Sequence, residues 1–526
     1  MMNFKNSIVM KKINTILVAG LVMLVVSCQK KLDINADPNS ATSATPELVL
    51  PQALTATAAN LSGFNSYGAQ LVGYSANAGG YGGFGTSFTY NFTASDFAGR
   101  WSSSYDNLED YQYIIDNTEG KAKYRYFNAA ARIMKSIGFQ LLVDAYNDVP
   151  YSQALKGSAV LNPKYDSATT IYKSLADDLD KAIALINAGD TTTGVTPLGK
   201  SDVLFGGDTD YWKQLANTIK LRLIVRASGK VTFTNTTFSS DGFLEEDALI
   251  NPGYTRDNGK QNPKWNTWGF SYTGSDANKA WIPSKYIFAF YNGGKLTDNV
   301  RGEATYYKFP TTGTNQLGIE SNNLESCPSG SFWYPSTVRD GKTAGSTTGA
   351  LKGPDAGYPL ITAAESYFLQ AEAAVRNIAT GDAKTLFNNG ITAAFSYVLA
   401  YPDGSHDLDP STSATDYMTN NASTHLVNFD LATTDDKKIE AIITQKYIAL
   451  NFVNSEEAWN EYRRTKYPTN IAGGTATQTF ASTVSESSRA DKLPARIVYP
   501  SSEGAYNSAN VPKNISPFTS LIFWAQ

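Results

Sequence analysis

The sequence predicts a mainly α-helical protein, built from helical hairpins stacked side by side with long irregular segments between them. Apolar residues recur at helical spacing in several separate stretches, and each stretch carries one stripe rather than an all-round apolar surface. A one-sided helix must bury its stripe against a neighbour, and Ala-rich stretches that recur in pairs can do so as hairpins. Alternating patterns are confined to two small candidate strands, 230–233 and 306–309, so no large sheet is expected.

Taken in chain order, the start comes first. Met10, Lys11 and Lys12 supply positive charge, residues 13–26 form an apolar segment, and Ser27-Cys28 follows. A basic start, a short apolar run and a small residue before the cut are what an export signal requires, and the run is short for a membrane span. A cysteine at the cut gives the segment a lipoprotein reading. Its thiol accepts acyl chains, each buried methylene contributes about 0.8 kcal/mol, and two or more chains anchor a protein stably. The expected organisation is a signal peptide over 1–27, a lipid anchor and tether over 28–40, and a single domain over 41–526, with Met10 an alternative start to Met1. Cys28 is taken by the anchor and Cys327 is the only other cysteine. The domain is therefore expected to be held by its own core rather than by a disulfide.

The helical stripes follow. Leu108, Tyr111 and Ile115 mark the first, and Phe127, Met134, Ile137 and Leu141 the second. Ile171, Leu175, Leu179, Ala182 and Ile186 make the third, then Trp212, Ala216, Ile219 and Leu223. Ile361, Ala364, Phe368 and Val375 form another, and Ile439, Ile443, Tyr447 and Leu450 the last. Helical period is lost over 62–104 and 235–353, where Gly, Ser, Thr, Asn and aromatic residues dominate; loops this long usually carry function.

Composition narrows the partners. Hydrophobic residues make up 42% and charged residues 17%, with a net charge of −4, which describes a folded chain without the basic footprint that nucleic acid requires. Aromatic residues are abundant, with 31 Tyr, 25 Phe and 8 Trp, and surfaces rich in Tyr, Trp and Asn suit neutral, hydroxyl-rich ligands.

Several segments, in order, resemble one family. The run from Gly138 through Asp144-Ala145-Tyr146-Asn147-Asp148-Val149-Pro150-Tyr151 is similar to the helix-to-loop signature of SusD/RagB-like outer-membrane nutrient-binding lipoproteins. Gly206-Gly207-Asp208 with Trp212, Tyr358-Pro359-Leu360-Ile361-Thr362 with Glu365, Gln445-Lys446-Tyr447 with Trp459 and Arg463-Arg464, and Tyr499-Pro500 with Glu503 resemble further blocks. The resemblance implies a tetratricopeptide-like helical-hairpin superhelix with a loop-rich irregular ligand-binding region packed on it. It also implies capture of an oligosaccharide or another nutrient at the cell surface, and delivery to a SusC-like TonB-dependent transporter over which the protein acts as a lid. No cofactor is implied. One departure concerns display: Gln29-Lys30-Lys31 follows the cysteine where many family members carry acids.

The signature residues read as structural. Asp144, Asn147 and Asp148 are expected to cap a helix end before the extended Val149-Pro150 pair. Trp459 and Arg463, four apart on one helix face, suit stacking or a buried ion pair with Glu461 or Glu365. Ligand contacts are expected in the aromatic loops, where a pyranose lays its C–H face on a ring and its hydroxyls meet polar groups. Tyr81 and Phe84 stand in a Gly-rich loop whose backbone can turn sharply. Trp265, Trp268, Tyr272 and Trp281 stand in a polar segment with Asn266, Asn278 and Lys279. The competing reading for each ring is that it closes the loops over the helices.

Other motifs fall away. The glycines of 80–85 match a dinucleotide pattern, but Ser87 to Thr93 does not read as the helix such a loop must open. Asp403, Ser405, Asp407 and Asp409 alternate like calcium ligands, yet Leu408 and Ala414 occupy the positions of the required glycine and acid. His406 and His425 are the only histidines and show no metal-ligand spacing. An enzyme is not expected. The alternatives are a helical glycoside hydrolase, which needs only two suitably spaced carboxylates, and a tetratricopeptide-like protein-interaction scaffold.

Overall fold

The computed structural model describes residues 44–320 and 330–526. Cys28, Cys327, the apolar segment 13–26 and the tether 28–40 lie outside the described residues. The chain divides into Met1–Thr45, of which only Ala44 and Thr45 are described, and Pro46–Gln526, which contains every element that follows.

Five helices come first: α1 (Pro46–Leu71), α2 (Ala98–Thr118), α3 (Arg125–Tyr146), α4 (Ala168–Asp190) and α5 (Thr209–Arg226). Each packs on the next in sequence order. The remaining long helices are α6 (Ala363–Val375), α7 (Ala383–Leu399), α8 (Pro410–Asn420), α9 (Asp435–Ala449) and α10 (Ser455–Thr465). Helix α6 packs on α5, α7 and α9, and α7 on α8, while α10 returns to lie against α1. Consecutive helices stacked on their neighbours are the tetratricopeptide-like arrangement. Six short strands form three antiparallel pairs, β1 (Ser75–Asn77) with β5 (Trp281–Pro283), β2 (Val149–Pro150) with β3 (Tyr165–Asp166), and β4 (Ala248–Ile250) with β6 (Tyr358–Ile361). The expectation of a mainly helical chain without a large sheet holds among the described residues.

Local chemistry explains the helix starts. Ser167, Asp208, Thr362, Asp382, Asp409, Thr434 and Asn454 each accept a backbone N–H of the first turn with the side chain, satisfying donors that have no partner within the helix. The acid Asp409, weighed above as a calcium ligand, is one of these caps. Every predicted stripe residue of α4 is buried, as are Phe127, Met134 and Ile137 of α3 and Trp212, Ala216, Ile219 and Leu223 of α5. Helices pack closely where glycine allows it: a Cβ on Gly138 would lie 2.8 Å from Leu108 Cδ2, and one on Gly68 would lie 2.8 Å from the Glu456 backbone nitrogen.

Some expectations are corrected. The segment 62–104 is not irregular throughout, since α1 extends to Leu71 and α2 begins at Ala98. Its glycines and asparagines masked the helical period; Gly68 is there to admit α10. Residues 230–233 form no strand, and Val231 and Phe233 pack half-buried on the core without a ladder partner. Residues 306–309 form a turn after a short helix, Asn299–Thr305, and the Tyr306 hydroxyl accepts from Asn451 Nδ2 at 2.6 Å.

Helix α10 is almost wholly buried although it is mostly polar. Its charges are paired across helices. Arg226 of α5 reaches Asp144 of α3 at 2.5 Å, Glu461 at 3.3 Å, and Glu457; Lys446 of α9 reaches Glu457 at 3.0 Å and Glu461 at 3.2 Å. Arg464 holds Glu372 of α6 through two bonds of 2.6 Å and also contacts Glu461. Burial works against the Arg226 charge, but Glu457 and Asp144 outweigh it and hold the guanidinium charged.

Asp144 is therefore the centre of a buried network rather than a helix cap, and it also accepts from Trp524 Nε1 at 2.9 Å and from the Tyr172 hydroxyl. Asn147 closes α3 through its backbone N–H, which donates to Val143 O at 2.8 Å, whereas the Asn147 and Asp148 side chains accept N–H groups of other segments, Phe523 at 2.7 Å and Ala168 at the start of α4 at 2.8 Å. Arg463 stacks 3.7 Å from the Trp459 ring centroid, as the spacing suggested, but it donates to the carbonyls of Asp144 and Ala495. The ion pair expected for it belongs instead to its neighbours, Glu461 with Arg464 and Glu365 with Arg222.

Candidate functional site

The β1/β5 pair carries the site. Asn77 faces Trp281 across the ladder, Ala76 faces Ile282, and Ala78 N–H to Ala280 O at 2.9 Å extends the pairing. Side chains alternate along a strand, so burying Ile282 on one face leaves Trp281 half-buried on the other. Asn77 is locked beneath: its Nδ2 donates to Ile319 O at 2.8 Å, and its own carbonyl accepts from Asn315 Nδ2 at 3.0 Å.

The Gly-rich loop leaves β1 and returns as a helical turn, Thr86–Thr89. Gly83 has φ +77° with open space around its absent Cβ, so glycine there serves a left-handed turn and not a close approach. The turn places Phe84 four residues before buried Phe88, and the rings stack at 4.5 Å and 11°. Phe84 then meets Trp281 edge-on at 5.1 Å and 70°. Tyr81, on the same loop, is 42% exposed. The result is a ledge in which Phe84 and Trp281 are held by ring contacts, a low-entropy surface for a flat apolar face.

Tyr272, 46% exposed, sits on a separate small hairpin bridged at Phe270 and Asp276. The salt bridge of Lys279 to Asp276, 2.6 Å, supports the connection from this hairpin to β5. Trp265 and Trp268 are different. They are 1% and 2% exposed and belong to the core, which corrects their expected place among ligand contacts. Asn262 caps a short helix, Pro263–Trp268, with Pro263 in its first turn, and the two indoles three residues apart turn inward together. Trp268 meets Phe452 edge-on at 4.6 Å and donates to Ser66 Oγ at 3.1 Å, while Trp265 meets Tyr334 at 5.2 Å. The Asn-Pro start and the i,i+3 spacing were the signal that separates these two from Trp281.

The structure also contains a cavity of 780 Å³ between the β4/β6 pair and α6–α7, lined by none of the ledge residues. Sequence reasoning missed it, because its floor residues, Asp247 and Lys352, lie far apart in a region read as loop. The histidines make local contacts: His406 Nε2 lies 3.1 Å from Ser396 O, and His425 Nε2 lies 2.8 Å from Glu440. Among the described residues no three His, Cys, Asp or Glu side chains group as metal ligands.

Residues 38–245 match the family described as "Starch-binding associating with outer membrane", and residues 342–520 match that described as "Susd and RagB outer membrane lipoprotein". The chain belongs to the SusD/RagB family. Membership sets it among outer-membrane nutrient-binding proteins. Solved structures agree on the fold. A SusD/RagB family protein from Bacteroides thetaiotaomicron is 19% identical over 92% of this chain and 99% of its own, with a TM-score of 0.66. A SusD homologue from Bacteroides fragilis is 19% identical over 92% and 100%, with a TM-score of 0.63. A chitin-binding protein is 23% identical over 91% and 99%, with a TM-score of 0.63. No curated protein matches the sequence. Tyr272 and Trp281 fall between the two family matches, whereas Tyr81 and Phe84 fall inside the first.

Proposed function

We propose that this SusD/RagB protein is a lipid-anchored, outward-facing nutrient-binding protein that captures a neutral oligosaccharide on the ledge of Tyr81, Phe84 and Trp281, with Tyr272 flanking. It delivers the ligand unchanged to a SusC-like TonB-dependent transporter, and Cys28 carries the anchor. The observation that supports capture is the ledge itself: Phe84 stacked on buried Phe88 and set against Trp281 presents fixed rings at the surface. Sugar C–H faces gain from such rings, and rings already held in place lose little freedom on binding. That a chitin-binding protein shares this fold is consistent with a glycan ligand here. The proposed action is binding and gating, with no bond made or broken. The test incubates the mature domain with neutral oligosaccharides and follows both complex formation and the release of shorter sugars. Complex formation without release is expected; release of shorter sugars would instead establish a glycosidase. Co-purification from outer membranes with a barrel transporter is the expected result for delivery, and recovery in a periplasmic complex contradicts it.

A further inference from the structure

The 780 Å³ cavity has a wall that neither the ledge nor the helix stacking explains. Its lining holds three carboxylates, Glu245, Glu246 and Asp247, and one amine, Lys352; Glu245 and Glu246 are exposed. Lys352, buried, donates to Tyr397 O at 2.6 Å and Ala400 O at 2.5 Å, which leaves one ammonium N–H unused. Asp247 accepts the Ala363 N–H at 2.8 Å on one oxygen, which leaves the other oxygen as an acceptor. The two are not hydrogen-bonded to each other, although Asp247 supports the Lys352 charge from a distance, and both line the cavity. Asn389 and Thr392 add polar groups from α7, and Ala393 adds an apolar one.

These features define a ligand. The three carboxylates disfavour an anion and the buried Lys352 ammonium disfavours a cation, while the mixture of donors and acceptors suits hydroxyl groups, which are both. The volume lies within the range of small-molecule sites and holds one or two pyranose rings with solvent. We infer that this cavity is a second binding site, separate from the ledge, for a neutral mono- or disaccharide. Burial pushes the Asp247 carboxyl up to about 6 and the Lys352 amine down to about 7, so both are short of solvation that hydroxyl partners restore. The inference goes beyond the capture proposed for the ledge and uses none of its residues.

Maltose is a suitable neutral probe, with glucosamine and glucuronate as cationic and anionic controls of similar ring size, measured by calorimetry on the mature chain. In the Trp281→Ala variant, which removes a ledge ring, maltose is expected to bind still, more tightly than either charged sugar. Ala393→Trp fills the cavity and is expected to weaken maltose binding in that background by about tenfold or more. Thr392→Phe gives a second obstruction should the first variant fail to fold. Absence of maltose binding in Trp281→Ala overturns the inference, as does unchanged affinity in a folded cavity variant or preference for a charged sugar. Loss of binding in Trp281→Ala with retention in Ala393→Trp overturns the second site while leaving capture on the ledge standing.

Discussion

Replacing Arg226 with methionine removes one cation from a buried site that holds three carboxylates, those of Asp144, Glu457 and Glu461. Lys446 remains for Glu457 and Glu461, and Arg464 for Glu461, but the Asp144 carboxylate keeps only neutral hydrogen-bond donors, Trp524 and Tyr172, with the Arg463 guanidinium on its backbone carbonyl. Breaking a buried pair by removing one partner costs about 3–5 kcal/mol, because a buried charge is left uncompensated. An unfolding entropy of ~2.1 cal/mol/K per residue over the roughly 480 residues of Pro46–Gln526 gives about 1 kcal/mol/K, so Tm falls by about 3–5 °C. Differential scanning calorimetry on the mature domain reads this directly. Asp144→Asn added to Arg226→Met removes the stranded charge and is expected to recover part of the loss. A Tm within 1 °C of the wild type for Arg226→Met alone, or a further drop in the double variant, would refute the reading of this network as charge compensation.

Three more outcomes follow from the same structure. Trp268→Ala is expected to cost about 3–5 kcal/mol in chemical denaturation, since it empties a buried indole site against Phe452 and Trp333, whereas Tyr272→Ala leaves stability unchanged. Burial works against ionisation of Glu372, yet Arg464 and Arg376 hold its carboxyl down at about 2. Its folded value lies below the unfolded one, so its contribution is present above the usual glutamate range and is lost as pH falls from there towards about 2; the Tm deficit of Glu372→Gln measured at pH 7 should shrink at pH 3. Cys28→Ala is expected to move the protein from the membrane fraction to the soluble fraction, and unchanged membrane retention would count against lipidation.

Much of the scaffold was legible because α4 and α5 announce themselves by stripes whose residues are all buried. Helix α10 was legible only through the resemblance and the Trp459–Arg463 spacing. A helix buried on all sides by ion pairs has no apolar stripe to read, and its partners lie on four other helices. Helices α7 and α8 show no continuous stripe in the sequence, since Asn, Gly, Ser and Thr interrupt their apolar pattern even though Asp382 and Asp409 cap them. For the site, the two segments were legible and the sorting of their rings was not. Phe84 and Trp281 touch across nearly two hundred residues, a contact that depends on the β1/β5 register. Trp265 and Trp281 stand in similar polar surroundings in sequence, and only the helix begun at Asn262 sends the first inward.

The central claim is that fixed rings on the ledge bind a neutral glycan and leave it intact. Isothermal titration of the mature wild-type domain against a panel of neutral oligosaccharides, repeated with Trp281→Ala and Tyr81→Ala, tests it most directly. The account predicts saturable binding of at least one oligosaccharide, recovered unaltered, with affinity reduced about tenfold or more in Trp281→Ala, equal to about 1.4 kcal/mol. Equal affinity in the wild type and both variants would contradict it.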